Sequence, residues 1–246
     1  MENKVRNDNI FDRKIGKASD FKFDKQVADV FDNMVGRSVP SYNELQETIA
    51  GIALTFIRDN TTYYDLGCST GTTLLLMTKL LNRRPVKLVG IDLSHEMLDK
   101  TKTKLAQYGF QDRCELRSED ITTEIDLSNA SVITMLWTLQ FVRPEQRFEV
   151  VRRIYRNLLP GGCFILAEKI LGSDTHLSRL YINLYHNFKM RQGYSELEIA
   201  QKREALENVL VPYRVDENLT LLKGSGFPTV DVFFRWYNWA AFIAVK

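Results

Sequence analysis

Apolar positions set the outline of this chain before any motif is considered. Val27, Val30, Phe31 and Met34 recur at helical spacing, which predicts a short N-terminal helix. The run Arg37-Ser-Val-Pro-Ser-Tyr42 breaks it, because Pro40 disfavours helical backbone in the residue before it. Ser41 and Glu44 have the spacing of a capping box and predict a second helix to about Ile57. From there strand-length apolar runs alternate with helix-length segments. Thr62–Leu66 reads as a strand entering the glycine turn Gly67-Cys-Ser-Thr-Gly71, and a helix with Leu74, Leu75, Thr78 and Leu81 follows. Val86–Ile91 is a second strand ending at Asp92, and Ser94 caps the next helix, through about Tyr108. Cys114–Arg117, Ser131–Leu136 and Cys163–Glu168 complete five strands, with a helix over Val150–Leu158 stopped by Pro160-Gly-Gly162. Strands joined by helix-length crossovers form right-handed βαβ units and a mainly parallel sheet.

The rhythm changes after Glu168. Residues 173–210 read as helical, with a break at Gly193 and a capping box at Ser195 and Glu198. The tail returns to strand, with Val230–Phe234 and Trp236–Val245 as a terminal pair. The helical block is thus an insertion before the last strands, where loops rise over the carboxyl ends of a sheet and build lids or interfaces. Tyr181, Tyr185 and Phe188 form an i, i+4, i+7 stripe in it, read as lid or dimer packing. Trp236, Tyr237 and Trp239 are expected in a buried C-terminal strand. Residues 1–20 are polar and expected to be loosely held. No repeat, low-complexity tract or Gly/Ser linker divides the chain, so 1–246 reads as one domain.

At 246 residues and 44% hydrophobic, the chain has enough apolar side chain for a sizeable core. Its longest apolar windows, Val132–Val142 and Trp236–Val245, are too short to span a bilayer as helices, and the first twenty residues lack the apolar run of a secretory leader. No membrane association is expected. A net charge of +2 from 33 basic and 31 acidic residues gives no strong pull toward nucleic acid, and no direct binding to it is expected. Cys68, Cys114 and Cys163 are odd in number and lack CxxC spacing, and the three histidines complete no ligand set. That pattern argues against a metal site and for a reducing, cytoplasmic compartment.

Chemistry concentrates in Tyr64-Asp-Leu-Gly-Cys-Ser-Thr-Gly71. A tight strand-to-helix turn needs glycines so that backbone can approach a ligand closely. Asp92 ends the next strand 21 residues beyond Gly71, where a carboxylate can accept from two ribose hydroxyls. A dinucleotide fingerprint would read GxGxxG. Here the order is Asp65-x-Gly67-x-Ser69-x-Gly71, which resembles motif I of class I S-adenosylmethionine (SAM)-dependent enzymes, with Ser69 at the middle glycine. Such ligands carry no phosphate, so the loop would meet the amino-acid part instead. Asp120, in Ser118-Glu-Asp-Ile121, falls where that superfamily contacts the adenine amino group. The plain alternative makes Asp92 and Asp120 strand-end or capping carboxylates. The resemblance implies an α/β, Rossmann-like class I SAM-methyltransferase fold. That fold has a mainly parallel seven-stranded sheet with helices on both faces, here with added N-terminal helices and the insertion.

Further segments are more specific: Phe21-Lys-Phe-Asp24, Arg37-Ser-Val-Pro-Ser-Tyr42, Thr138-Leu-Gln-Phe141, Gly193-Tyr-Ser-Glu-Leu-Glu198, Gln201-Lys-Arg203 and Leu206-Glu-Asn-Val209. With motif I they resemble the carboxy-S-adenosyl-L-methionine synthase family of tRNA wobble-uridine modification, over nearly the whole chain. The resemblance implies a homodimer that converts SAM and prephenate to carboxy-SAM and phenylpyruvate, with either nucleoside as bound ligand. It implies cofactor contacts at Tyr42, Gly67, Cys68, Ser69, Asp92, Leu93, Asp120, Ile121 and Leu136. It makes Arg203 the catalytic cation that holds the new carboxylate, reaching across a dimer interface. Read from position alone, Arg203 is an exposed helix residue within i+4 reach of Glu207. Three departures stand out: Leu136 replaces an asparagine, Trp137 a phenylalanine, and Ser41 the glycine of an RSVPGY run. Leucine removes two donors and an acceptor from beside the sulfonium. An ordinary SAM-dependent methyltransferase with an unidentified acceptor therefore stays open, as does a non-catalytic SAM-binding subunit.

Overall fold

The computed structural model describes residues 7–13 and 20–246. Helix α1 (Lys25–Ser38) starts at Asp24, whose side chain accepts from the N–H groups of Gln26 and Val27, and it buries Val27, Val30 and Met34. Helix α2 spans Tyr42–Phe56, but the capping box expected at its start does not form. Ser41 has a left-handed backbone (φ 50°) and its side chain caps nothing. A glycine would adopt that conformation without strain.

The α/β core then runs β1 (Thr62–Leu66), α3 (Thr72–Leu81), β2 (Lys87–Asp92), α4 (His95–Gln107), β3 (Cys114–Ser118), β4 (Ala130–Leu136), α5 (Pro144–Asn157) and β5 (Leu158–Lys169). The insertion helices α6 (Thr175–Arg191) and α7 (Glu196–Leu206) precede α8 (Val215–Gly224), β6 (Thr229–Trp236) and β7 (Trp239–Val245). Ser94 accepts from Met97 N at the start of α4, and the Ser195–Glu198 capping box opens α7, as their spacings predict. Helix α8 was not foreseen.

The seven strands lie in the order β3-β2-β1-β4-β5-β7-β6, with only the β5–β7 and β6–β7 pairings antiparallel. Every residue of β1 and β4 is buried, as strands covered on both faces require. Alternate side chains enter different cores: Tyr64, Leu66, Ile133 and Met135 pack with α5 and α8, while Tyr63, Val132 and Leu136 pack with α2 and α3. Strand order reverses between β1 and β4, and a crevice opens there at the carboxyl ends.

Two expectations need correction. Pro160-Gly-Gly162 lies inside β5, because Leu158 already pairs with Ala130 and a bulge between Ala130 and Val132 absorbs the irregularity. A Cβ on Gly162 would come within 2.7 Å of Ser131 O, so the backbones approach too closely for another residue. Tyr237 sits on the β6–β7 turn with φ 43° and is exposed rather than buried. The aromatic stripe packs on this hairpin of its own chain, through Tyr181–Tyr237, Tyr185–Trp239 and Phe188–Trp236 ring contacts of 5.2–5.8 Å.

The N-terminal stretch also differs from its polar appearance. Residues 1–6 and 14–19 lie outside the described residues, but residues 7–13 are held against α7. Gln201 donates to Phe11 O and Arg13 O at 2.8 and 3.0 Å, and Tyr194 Oη donates to the buried Asp8 carboxylate at 2.6 Å. No helix among the described residues is long and apolar enough to cross a membrane.

Candidate functional site

The glycine turn after β1 is laced to the end of β2. Gly67 N and Cys68 N both donate to Ile91 O, at 2.7 and 3.0 Å. Gly67 and Gly71 have φ of 74° and 75°, and a Cβ on either would collide with Thr138 or Thr101, respectively. Ser69 is also left-handed, at φ 53°, but is tied on both sides. Its N–H donates to Asp92 Oδ2 at 2.8 Å and its carbonyl accepts from Thr101 Oγ1 at 2.6 Å. Those bonds hold a serine where the motif has glycine.

Asp92, the last residue of β2, accepts from Ser94 N through Oδ1 at 2.9 Å, while Ser94 itself caps α4. Each oxygen keeps further lone-pair capacity. Burial pushes its carboxyl upward, against the N–H groups of Ser94 and Ser69 that hold it down. Asp120 similarly accepts from Thr122 N and Oγ1 through Oδ1, at 2.8 and 2.7 Å. Beside it, Glu119 Oε2 is buried with no hydrogen-bond partner. Asp65 is almost fully buried and accepts from Thr134 Oγ1 at 2.8 Å, and burial raises its carboxyl to about 7.

All of these acids border a single cavity of about 800 Å³. The turn residues Gly67, Cys68 and Ser69, the strand ends at Leu93, Ile121 and Leu136, Tyr42 from α2 and Arg203 from α7 border it as well. The ten residues singled out from the sequence thus come together, over a span from 42 to 203. Leu136 and Trp137 make the end of β4 apolar, and the Trp137 ring lies 5.3 Å from that of Tyr42. Burial raises the Tyr42 hydroxyl to about 12, so it stays protonated at neutral pH. Arg203 borders the cavity of its own chain, and among the described residues it forms no ion pair with Glu207.

Sequence reading missed the cations. Lys169, Lys189 and Lys202 border the same cavity as Arg203 and His186. Burial lowers the three amines to about 8, 7 and 8, assisted by neighbouring positive charge. A lysine ending the apolar run of β5 was a signal available for Lys169; nothing distinguished the helical lysines. Among the described residues, no three His, Cys, Asp or Glu side chains are grouped to hold a metal ion.

Glu168 fixes the rim after β4. It is buried, accepts from Leu139 N at 3.1 Å, and anchors the short 3₁₀ turn Leu139–Phe141. Burial raises its carboxyl to about 8, against the pull of Arg147 and the turn N–H groups. Between about pH 4.5 and 8 the folded chain therefore keeps a proton that the unfolded chain releases, so this group's contribution to stability falls as pH rises. Glu168→Gln is expected to be near neutral at pH 5 and to gain about 1–3 kcal/mol on the parent by pH 8. Denaturant unfolding at both pH values measures the difference; a gap independent of pH would refute an ionisable Glu168.

A family model described as a methyltransferase domain matches residues 64–162. Among solved structures, an O-methyltransferase family protein from Burkholderia thailandensis superposes with a TM-score of 0.67 at 16% identity, covering 91% of this chain and 60% of that one. Likeness at such low identity speaks for the fold alone, which is that of the class I methyltransferases. Two full-length relatives are much nearer. Proteins from Methylococcus capsulatus (48% identical, 97% of this chain, 99% of the relative) and Desulfotalea psychrophila (46%, 98% of each) are both named carboxy-S-adenosyl-L-methionine synthase. This chain belongs to the carboxy-S-adenosyl-L-methionine synthase family, within the SAM-dependent transferases.

Proposed function

We propose that this protein binds SAM at the acidic end of the cavity and transfers to it the carboxyl group of prephenate, releasing phenylpyruvate. The observation that carries the reading is the polarity of one cavity. Asp65, Asp92, Glu119 and Asp120 border it from the β1–β3 side, and Lys169, Lys189, Lys202 and Arg203 from β5 and the insertion. A cationic sulfonium nucleoside suits the first set and a dicarboxylate the second. The volume falls within the ordinary range of ligand sites, about 300–1,000 Å³. The unpartnered Glu119 oxygen is the kind of acceptor that an adenosine hydroxyl or amino group would satisfy.

In this reading Asp92 takes the ribose hydroxyls and Asp120 the adenine amino group. Leu93 and Ile121 flank the base. Gly67, Cys68 and Ser69 offer backbone to the methionine part, with Tyr42 and Leu136 near the sulfonium. SAM is a substrate here, consumed in the reaction. Its sulfonium methyl loses a proton and forms a C–C bond to the carboxyl carbon that prephenate gives up. The ring C–O bond breaks as prephenate aromatises, and the departing hydroxide with that proton makes water. Atoms and charge then balance as SAM plus prephenate to carboxy-SAM, phenylpyruvate and water. Arg203 pairs with the new carboxylate through its two-pronged guanidinium. The product would serve wobble-uridine modification of tRNA, and the working form is a homodimer. Exposed Leu180, Met190 and Leu197 on the insertion helices supply an apolar surface for it.

A second reading, plain methyl transfer, is favoured by Leu136, which places no donor where relatives in the resemblance carry asparagine. Incubation with SAM, with and without prephenate, followed by mass spectrometry separates the two. A nucleoside heavier than SAM by CO₂, formed only with prephenate, is the expected result. SAM recovered unchanged in both arms would overturn the synthase reading.

A further inference from the structure

The cationic end of the cavity holds donors that the protein leaves without acceptors. Lys169 closes β5, three strands from Asp92 in the sheet order, or roughly 14 Å at the usual strand spacing. Among the described residues its ammonium has neither hydrogen bond nor ion pair; its neighbours are the Tyr185 ring, 5.4 Å away, and the positive charge of Arg203. The buried carboxylate of Asp8 is taken by Lys202 at 3.7 Å and Tyr194 at 2.6 Å, and that of Glu168 by Leu139 N at 3.1 Å. Lys189 lies 5.3 Å from the same Tyr185 ring, so it adds positive charge and no acceptor.

The β6–β7 hairpin brings two more donors to this spot. Trp239 pairs with Lys169 across β5 and β7, and its ring packs 5.8 Å from Tyr185. Asn238 precedes it and fixes the hairpin by accepting from Ile170 N at 2.8 Å through its backbone carbonyl. Both residues border the cavity and are more than nine-tenths buried. Yet Asn238 Nδ2 and Oδ1 and Trp239 Nε1 have no hydrogen-bond partner. Few buried polar atoms go unsatisfied in folded proteins, and each costs about 1–3 kcal/mol. An ammonium, an amide and an indole N–H left unpaired in one corner are complementary to a carboxylate.

We propose that Lys169, Asn238 and Trp239 form a second carboxylate-binding site, which takes the carboxylate of the 2-oxo acid arm that the donor keeps. The inference rests on the prephenate reading for the identity of the occupant, but not for the existence of the site. Arg203 then handles the carboxyl group in transit, while Lys169 anchors the part that leaves as product. Two carboxylates held at separate points orient the donor ring against the sulfonium methyl, which a single anchor cannot do.

The test is a calorimetric titration of prephenate, and separately of malonate, into enzyme saturated with S-adenosylhomocysteine. Lys169→Met keeps the bulk of the chain and removes the charge; Trp239→Phe removes the N–H and keeps the ring packing. The expected result is at least 30-fold weaker binding of both anions to Lys169→Met and about 5-fold weaker binding to Trp239→Phe, with S-adenosylhomocysteine affinity within 2-fold of the parent. Unchanged anion affinity in both variants overturns the site, as does failure of the parent enzyme to bind either anion. Lys169-dependent malonate binding in an enzyme that makes no carboxy-SAM from prephenate sustains the site and removes the donor reading. Carboxy-SAM formation with full prephenate affinity in Lys169→Met does the reverse.

Discussion

Arg203→Ala is expected to lower carboxy-SAM formation by at least about 100-fold while SAM affinity changes less than about 3-fold. Arg203 borders the cavity but forms no ion pair among the described residues, so its guanidinium is available to a ligand. A carboxylate that appears only as the reaction proceeds is stabilised by a donor already in place, and loss of one such donor costs about 10²–10³ in rate. Lys169 and Lys189 cannot replace it, because each is a point charge without the planar two-pronged donor set of a guanidinium. Arg203→Lys should therefore recover only part of the rate, leaving a deficit of about 10-fold. Single-turnover product formation, with SAM binding measured alongside, makes the distinction. A parent-like rate in Arg203→Ala would leave this arginine without a catalytic role.

Gly67→Ala is the second large effect. Gly67 holds φ 74°, and an added Cβ would fall inside the Thr138 side chain. Left-handed backbone costs an alanine about 1–2 kcal/mol, and overpacking adds about 1–3 kcal/mol. Together these predict a loss of about 2–5 kcal/mol, seen as a melting temperature lower by roughly 4–20 °C. The turn cannot relax freely, because Gly67 N and Cys68 N are both bonded to Ile91 O. Displacement would carry Ser69 away from Asp92, so SAM affinity is expected to fall at least about 30-fold. Thr138→Ala in the same chain removes the collision but not the backbone strain. The double variant should regain about half of the lost stability, and a double variant no better than Gly67→Ala would show that the collision is not the cause.

The βαβ rhythm, the glycine turn and the acids ending β2 and following β3 were legible along the chain. Each depends on neighbours within one or two elements: apolar spacing, a cap, a tight turn. The Ser94 and Ser195 caps could be placed for the same reason. The box at Ser41 failed because a left-handed backbone there, following Pro40, turns the serine hydroxyl away from the N–H groups it would cap. Helix α8 escaped notice because its apolar side chains, Val215, Leu219, Leu221 and Leu222, gain a partner only when α5 and β6 pack against them.

The resemblance named ten cavity residues, but spacing alone could not have gathered them from six parts of the chain. Its charge balance was equally hidden. Lys169 and Trp239 are 70 positions apart, and Asp8 and Lys202 are 194 apart. Their juxtaposition follows from a sheet register and a docked segment, neither of which leaves a local mark. Local backbone preference and hydrophobic period were enough to specify the sheet and its turn. The unpaired donors at its far end arose only when strand pairing set Trp239 beside Lys169, because a register between distant strands is decided by packing and not by local backbone preference.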